Sequence, residues 1–277
     1  MKYNNIVLNS LGCLVLSSCN GYQYNENLAL TSINLCQASY CVDTYEWDCA
    51  TCEDDNKLEY IIENHGAKAL MGFNIEYQNI FVAFRGSENI LNWLDDIQFR
   101  KISPFEDENI KVEKGFYKAY QYLKPDLVNK LNMLKVKYNT NNILLTGHSL
   151  GASISTLFAY DILNDYDDYV LNYLITFGSP RTGNSYFVED FKQYNLIHYR
   201  ITHYYDMVPH VPQELLGYLH IPSEIWYNEE NSIYQLCNDN YETEDNLCSN
   251  TCGPLHCTST DDHLYYLNVS LGTNGYC

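Results

Sequence analysis

An α/β fold with a mostly parallel central sheet, covered on both faces by helices, is predicted by three observations. Apolar runs of strand length alternate with helix-length segments between residues 142 and 202. One such run, Ile143-Leu144-Leu145, passes into a small-residue helix through Gly147-His148-Ser149-Leu150-Gly151, a sharp strand-to-helix turn. The 277-residue chain carries no internal repeat, no Pro/Gly/Ser-rich linker and no apolar run that would span a bilayer. One domain over residues 22–277 is therefore expected rather than two.

The elements follow in order. Residues 26–40 place Leu28, Leu30, Ile33, Leu35 and Ala38 as an N-terminal helix requires. Residues 69–77 and 79–84 alternate or run apolar, like a hairpin or adjacent strands. Residues 88–97 read as a short amphipathic helix, with Ile90, Leu91, Trp93, Leu94 and Ile97 on an apolar side and acids and asparagines on the other. Residues 115–138 carry Tyr120, Leu123, Leu127, Leu131 and Leu134 at helical spacing, with Pro125 near a first turn or a kink. A strand at 142–147, a helix at 149–163 and strands at 170–177 and 197–202 complete the alternation. Sites in such sheets gather at the carboxyl ends of the strands.

Charge and cysteines restrict the setting. With 35 acidic against 16 basic residues the net charge is −19, which repels nucleic acid and anionic membranes, so lipid contact must come from apolar burial. Residues 1–21, with Lys2, the apolar Ile6-Val7-Leu8 and Leu14-Val15-Leu16, and small residues at the end, resemble a secretory signal peptide. An attached N-terminal helix, or a lipoprotein box ending at Cys19, are the other readings of that segment. The eleven cysteines fall in an N-terminal group (Cys13, Cys19, Cys36, Cys41, Cys49, Cys52) and a C-terminal one (Cys237, Cys248, Cys252, Cys257, Cys277), as disulfides tying the two ends to a secreted domain would. Cys49 and Cys52 have zinc-ligand spacing, but Cys248, Cys252 and Cys257 offer no matching pair, so no metal is expected. Removal of Cys13 and Cys19 would leave nine cysteines and one unpaired thiol. Asn268-Val269-Ser270 is a glycosylation sequon, in keeping with secretion.

The pentapeptide around Ser149 is the centre of the chemical reading. Two glycines let strand and helix backbones pass closely, holding Ser149 strained and exposed, while the N–H of Leu150 opens a helix N-terminus and offers one oxyanion donor. A serine hydroxyl needs a histidine base, and the base a carboxylate. Asp206 follows the strand at 197–202 and precedes Met207-Val208-Pro209, where a strand-end loop leaves the sheet. Among His198, His203, His210, His220, His256 and His263, the first two belong to the strand or its end. Position favours His263, at an apparent loop-to-helix junction before Leu264-Tyr265-Tyr266-Leu267, over His256. His148, beside the serine, is in the wrong place to take its proton and is expected to be buried against the sheet.

Phe84-Arg85-Gly86-Ser87, the Ser149 pentapeptide, Phe177-Gly178-Ser179-Pro180-Arg181-Thr182-Gly183-Asn184, His203-Tyr204-Tyr205-Asp206-Met207-Val208-Pro209 and Asp262-His263 together resemble the successive motifs of the fungal-type class 3 lipases, a group that includes feruloyl esterases. The resemblance runs from about Glu26 to Cys277. It implies an α/β-hydrolase fold, with Ser149 as nucleophile, Asp206 as orienting acid, His263 as base and Ser87 as the second oxyanion donor. It also pairs Cys41 with Cys277 and makes Cys49–Cys52 a local bridge, leaving Cys36, Cys237, Cys248, Cys252 and Cys257 open. In this group the amphipathic segment with Ile90, Leu91, Trp93 and Leu94 stands where a lid covers the acyl groove and opens at an oil–water interface. The expected function is that of a secreted, monomeric serine hydrolase, using no cofactor, that cleaves lipid esters through an acyl-enzyme. A carboxylesterase or feruloyl esterase on soluble or aromatic esters, a phospholipase A1 and, more remotely, a non-catalytic lipid-binding protein are the alternatives.

Overall fold

Strands buried on both faces need apolar residues at nearly every position, and the sheet is built from such runs. The computed structural model describes residues 23–41, 46–96, 99–252, 256–272 and 277. In chain order its elements are Glu26–Cys41 (α1), Asn56–Asn64 (β1), Ala67–Asn74 (β2), Asn79–Phe84 (β3), Ile90–Asp96 (α2), Lys101–Ile102 (β4), Val112–Glu113 (β5), Lys114–Tyr138 (α3), Asn142–His148 (β6), Leu150–Asp165 (α4), Val170–Phe177 (β7), Ser185–Asp190 (α5), Ile197–His203 (β8), Glu224–Tyr227 (β9), Tyr234–Leu236 (β10), Tyr265–Tyr266 (β11) and Val269–Ser270 (β12). Eight strands form one sheet in the order β1-β2-β3-β6-β7-β8-β9-β10. From β3 to β9 neighbouring strands run parallel, and β1, β2 and β10 close the edges antiparallel.

The side chains of β3 show how the two faces are divided. Ile80, Val82 and Phe84 join the core under α3 and α4, whereas Phe81 and Ala83 join the core under α1. Helix α3 turns Phe116, Tyr120, Leu123, Leu127, Leu131 and Leu134 inward, and Glu113 caps it by accepting the Phe116 N–H at 2.8 Å. Pro125 lies inside α3 rather than at its first turn. It removes one ladder donor there, and the buried row of side chains holds the helix against the sheet. Pairing aligns Phe84 with Gly147, His148 with Phe177 and Phe177 with Ile201, so β3, β6, β7 and β8 end side by side.

Four disulfides bind the described residues: Cys41–Cys277, Cys49–Cys52, Cys237–Cys248 and Cys252–Cys257. Among the described residues the free thiol is Cys36, buried in α1, where burial pushes its pKa up to about 12. The strands β1, β9 and β10 go beyond the sequence reading; β1 carries a register shift between Leu58 and Tyr60 that breaks its alternation. The run after His263 is a correction: it is strand, not helix, because Leu267 and Asn268 both take positive φ (51° and 63°) and turn β11 back as β12. Asn268 is exposed at that turn. Residues 1–21, with Cys13 and Cys19, lie outside the described residues.

Polar groups are buried as well. Arg200 Nη2 meets Glu224 Oε2 and Asp239 Oδ2, each at 3.1 Å, and all three side chains are shut away from solvent. Burial raises Asp239 to about 6, against the pull of Arg200, and lowers both His198 and His210 to about 4. A histidine depressed from 6.5 is neutral in the fold and takes up a proton on unfolding, so its stability contribution is full above pH 6.5 and lost as pH falls towards 4. Asp239 acts in the opposite sense, its contribution being lost as pH rises through about 6. With two histidines against one carboxyl, the melting temperature is expected to fall between pH 6.5 and pH 4, and a level profile by differential scanning fluorimetry would contradict these neutral histidines.

Candidate active site

The carboxyl ends of β3, β6 and β8 deliver the candidate groups to one place. At the end of β6 the backbone of Ser149 takes φ 58° and ψ −128°, and its N–H donates to the Phe177 carbonyl at 3.0 Å. Close passage is why glycines flank it. A Cβ on Gly147 would sit 2.3 Å from the Gly151 oxygen, and one on Gly151 would sit 2.2 Å from the Phe84 oxygen. Leu150, the first residue of α4, has an N–H with no intrahelical partner.

Beyond β8 a tight turn, in which the Asp206 N–H donates to the His203 carbonyl at 2.9 Å, brings Asp206 back over the sheet end. Its Oδ1 accepts the Val208 N–H at 2.8 Å, and its Oδ2 accepts His263 Nδ1 at 2.9 Å and the Tyr266 hydroxyl. Asp206 and His263 are 1% and 0% exposed. Burial opposes ionisation of Asp206, but the charge attraction of His263 and the three donated bonds outweigh it and hold the carboxyl below its usual range. His263 sits on a one-turn 3-10 segment, Asp262–Leu264, pinned alongside the acid by a parallel bridge between Asp206 and Ser259. Its Nε2 and the Ser149 Oγ are both buried, and neither has a hydrogen-bond partner among the described residues.

At the end of β3, Arg85 is buried; its Nη1 pairs with Glu88 at 2.8 Å and its Nη2 donates to the Gly66 carbonyl at 3.0 Å, which anchors the loop carrying Ser87. Ser87 and Leu150 both border a groove of about 570 Å³ that is also lined by His65, Trp93, Lys118 and Tyr122. Helix α2 forms part of its wall through Trp93, which stacks on Phe116 with ring centres 5.9 Å apart. Ile90 is half-buried like Trp93, but Leu91 is exposed, which departs from the single apolar side expected. Leu91 lies about 100° round the helix from Ile90 and about 200° from Trp93, so it cannot share their face. The side chains of Leu94 and Ile97 lie outside the described residues.

The other histidines stand apart from Asp206. His256 is exposed, His198, His210 and His220 are buried elsewhere, and His203 contacts the carbonyls of Asp262 and Glu229. Sequence reasoning missed Tyr266, which looks like one more apolar residue until the β11–β12 hairpin turns it towards Asp206. Among the described residues two groups have metal-ligand composition, His210 with Cys252 and Cys257 and Glu224 with Cys237 and Cys248, but their sulfurs are tied in disulfides.

Comparison with known proteins agrees with this architecture. Residues 81–216 match the family described as Lipase (class 3). A lipase of Rhizomucor miehei is 30% identical over 245 residues, 84% of this chain and 66% of that protein. A secreted mono- and diacylglycerol lipase A of Penicillium cyclopium is 26% identical, covering 76% of this chain and 65% of its own. A solved structure of a triacylglycerol lipase, its catalytic centre described as a serine protease triad, superposes with a TM-score of 0.80 at 30% identity, covering 89% of this chain and 96% of that one. The chain spans just under two thirds of the length of the curated relatives it matches.

Replacing Tyr266 by Phe removes a donor from a buried carboxylate and is expected to cost about 1.5–3 kcal/mol in denaturant unfolding. A change within error would show that Asp206 is satisfied without it.

Proposed function

The chain belongs to the class 3 lipase family, and on that premise we propose that it hydrolyses carboxylic esters of lipids through Ser149, Asp206 and His263. The observation that carries this reading is the buried Asp206–His263 pair at 2.9 Å together with a strained, buried serine whose Oγ, like His263 Nε2, has no hydrogen-bond partner among the described residues. Asp206 holds Nδ1 protonated, which directs the lone pair of Nε2 outward as base. Ser149 Oγ gives its proton to Nε2 and attacks the ester carbonyl. The N–H groups of Leu150 and Ser87 receive the charge that develops on the carbonyl oxygen. His263 then protonates the departing alcohol, and in a second half-reaction it deprotonates the attacking water and returns that proton to Ser149 Oγ as the acyl–Oγ bond breaks and the acid leaves.

The lid reading of α2 is supported by the burial of both reacting atoms and by the stacking of Trp93 on the core. Opening α2 at an oil surface exposes Ser149 and places Trp93 and Ile90 against lipid, with Leu91 already outside. The net charge of −19 favours uncharged lipid surfaces. Action as a secreted monomer, with a glycan on the exposed Asn268, is supported by the four disulfides and by relatives named as secreted. One observation favours the second reading, an esterase of more polar substrates: Glu63, Arg85, Glu88 and Lys118 give the groove a charged wall beside Trp93 and Ala119.

Hydrolysis of p-nitrophenyl esters from acetate to palmitate, beside emulsified triglyceride, is expected to show activity that rises with chain length and at the interface. Preference for acetate with no interfacial gain would transfer the assignment to the esterase. Ser149→Ala is expected to abolish turnover with the melting temperature kept, and residual wild-type rates would remove the serine from the mechanism. Asp206→Asn, which misdirects the imidazole tautomer, is expected to lower kcat by about 10⁴.

A further inference from the structure

Tyr40 and His148 are not among the proposed reacting groups, yet they make a buried chain of hydrogen bonds that starts on the His263 backbone and ends against Gly86, the residue before Ser87. His148 Nε2 lies 2.8 Å from the backbone carbonyl of His263, and its Nδ1 lies 2.8 Å from the Tyr40 hydroxyl. Burial, and then the neighbouring His263, push His148 down to about 3, so the ring is neutral and carries one N–H. A carbonyl only accepts, so that hydrogen is on Nε2 and Nδ1 accepts from Tyr40. The Tyr40 hydroxyl itself packs against Gly86. Both bond directions along the chain are thereby set.

The packing is as constrained as the bonding. A Cβ on Gly86 would lie 2.3 Å from the Tyr40 oxygen and 2.9 Å from the Ser149 Cβ, so the oxyanion loop can approach the elbow only as glycine. The His148 ring packs against that of His263 with centres 4.5 Å apart and planes tilted by 32°. Tyr40 is held from behind, because the next residue, Cys41, is bonded to Cys277. We propose that His148, oriented by Tyr40, is a positioning residue that fixes the backbone of His263 and the loop bearing Ser87 relative to Ser149. As an uncharged neighbour it also leaves the imidazolium that forms on His263 unopposed. The inference rests on the serine-hydrolase reading of the site.

The test compares His148→Phe, His148→Gln, Tyr40→Phe and Ser149→Ala with the wild type, measuring kcat and KM on p-nitrophenyl butyrate, the rate of labelling by a fluorophosphonate, and the melting temperature. A displacement of about 1 Å at the reacting atoms costs about 10²-fold, so His148→Phe is expected to lose about that factor in kcat and in labelling, with KM little changed. The amide of His148→Gln both donates and accepts, and it should recover part of the loss. Tyr40→Phe should lose about tenfold, the worth of one buried hydrogen bond, and combining it with His148→Phe should add nothing further. Wild-type kcat in His148→Phe, or equal losses in the Phe and Gln variants, would overturn the proposal. If His148→Phe does not fold, Tyr40→Phe decides alone, and an unaltered kcat there overturns it. An inactive Ser149→Ala beside an unimpaired His148→Phe discards the positioning role and leaves the hydrolase reading standing. An active Ser149→Ala discards both.

Discussion

The backbone of Ser149, held at φ 58° at the end of β6, is the constraint around which the rest of the site is arranged. Such a conformation costs about 1–3 kcal/mol in a non-glycine residue and persists only where its surroundings impose it. Here the imposition comes from three sides. The Ser149 N–H is tied to β7 through Phe177, Gly147 and Gly151 allow helix and strand to touch, and α4 buries nearly its whole length against the sheet. The result is a side chain directed away from its own strand, over the ends of the strands beside it.

That geometry would be idle without controlled charge. Asp206 is almost wholly buried, and a carboxylate there survives because three donors and a potential cation surround it. Beside this retained charge His148 is kept neutral by burial, as His198 and His210 are farther off. The contrast between one stabilised ion and several suppressed ones sets Asp206 and its partner His263 apart from the buried, neutral imidazoles. The same economy appears farther off, where Arg200 is matched by Glu224 and Asp239 and Arg181 by Glu244.

Much of this was legible in the residues. The helices at α1, α3 and α4 and the strands β3, β6, β7 and β8 carry strong apolar periodicity, and each stands where that pattern puts it, to within a few residues. Ser149 and Asp206 could be placed at strand ends from the residues, whereas the choice of His263 as the base drew on the family resemblance, and the structure sets His263 Nδ1 2.9 Å from Asp206. The shorter elements were not. β9 and β10 have four and three residues, too few to show a period, and the run after His263 reads equally as helix until its turn is known.

The sequence by itself determined the strand-to-helix turn at Ser149 and the strands whose ends gather the candidate residues, because glycine spacing and strand periodicity are local properties of the chain. Tertiary structure alone decided the partners. Asp206 meets a histidine 57 residues away and a tyrosine 60 residues away, and His148 joins Tyr40, 108 residues before it, to His263, 115 residues after it. No period or motif encodes such pairs, since a hydrogen bond between distant segments depends on how α1 and the β11–β12 hairpin pack over the sheet.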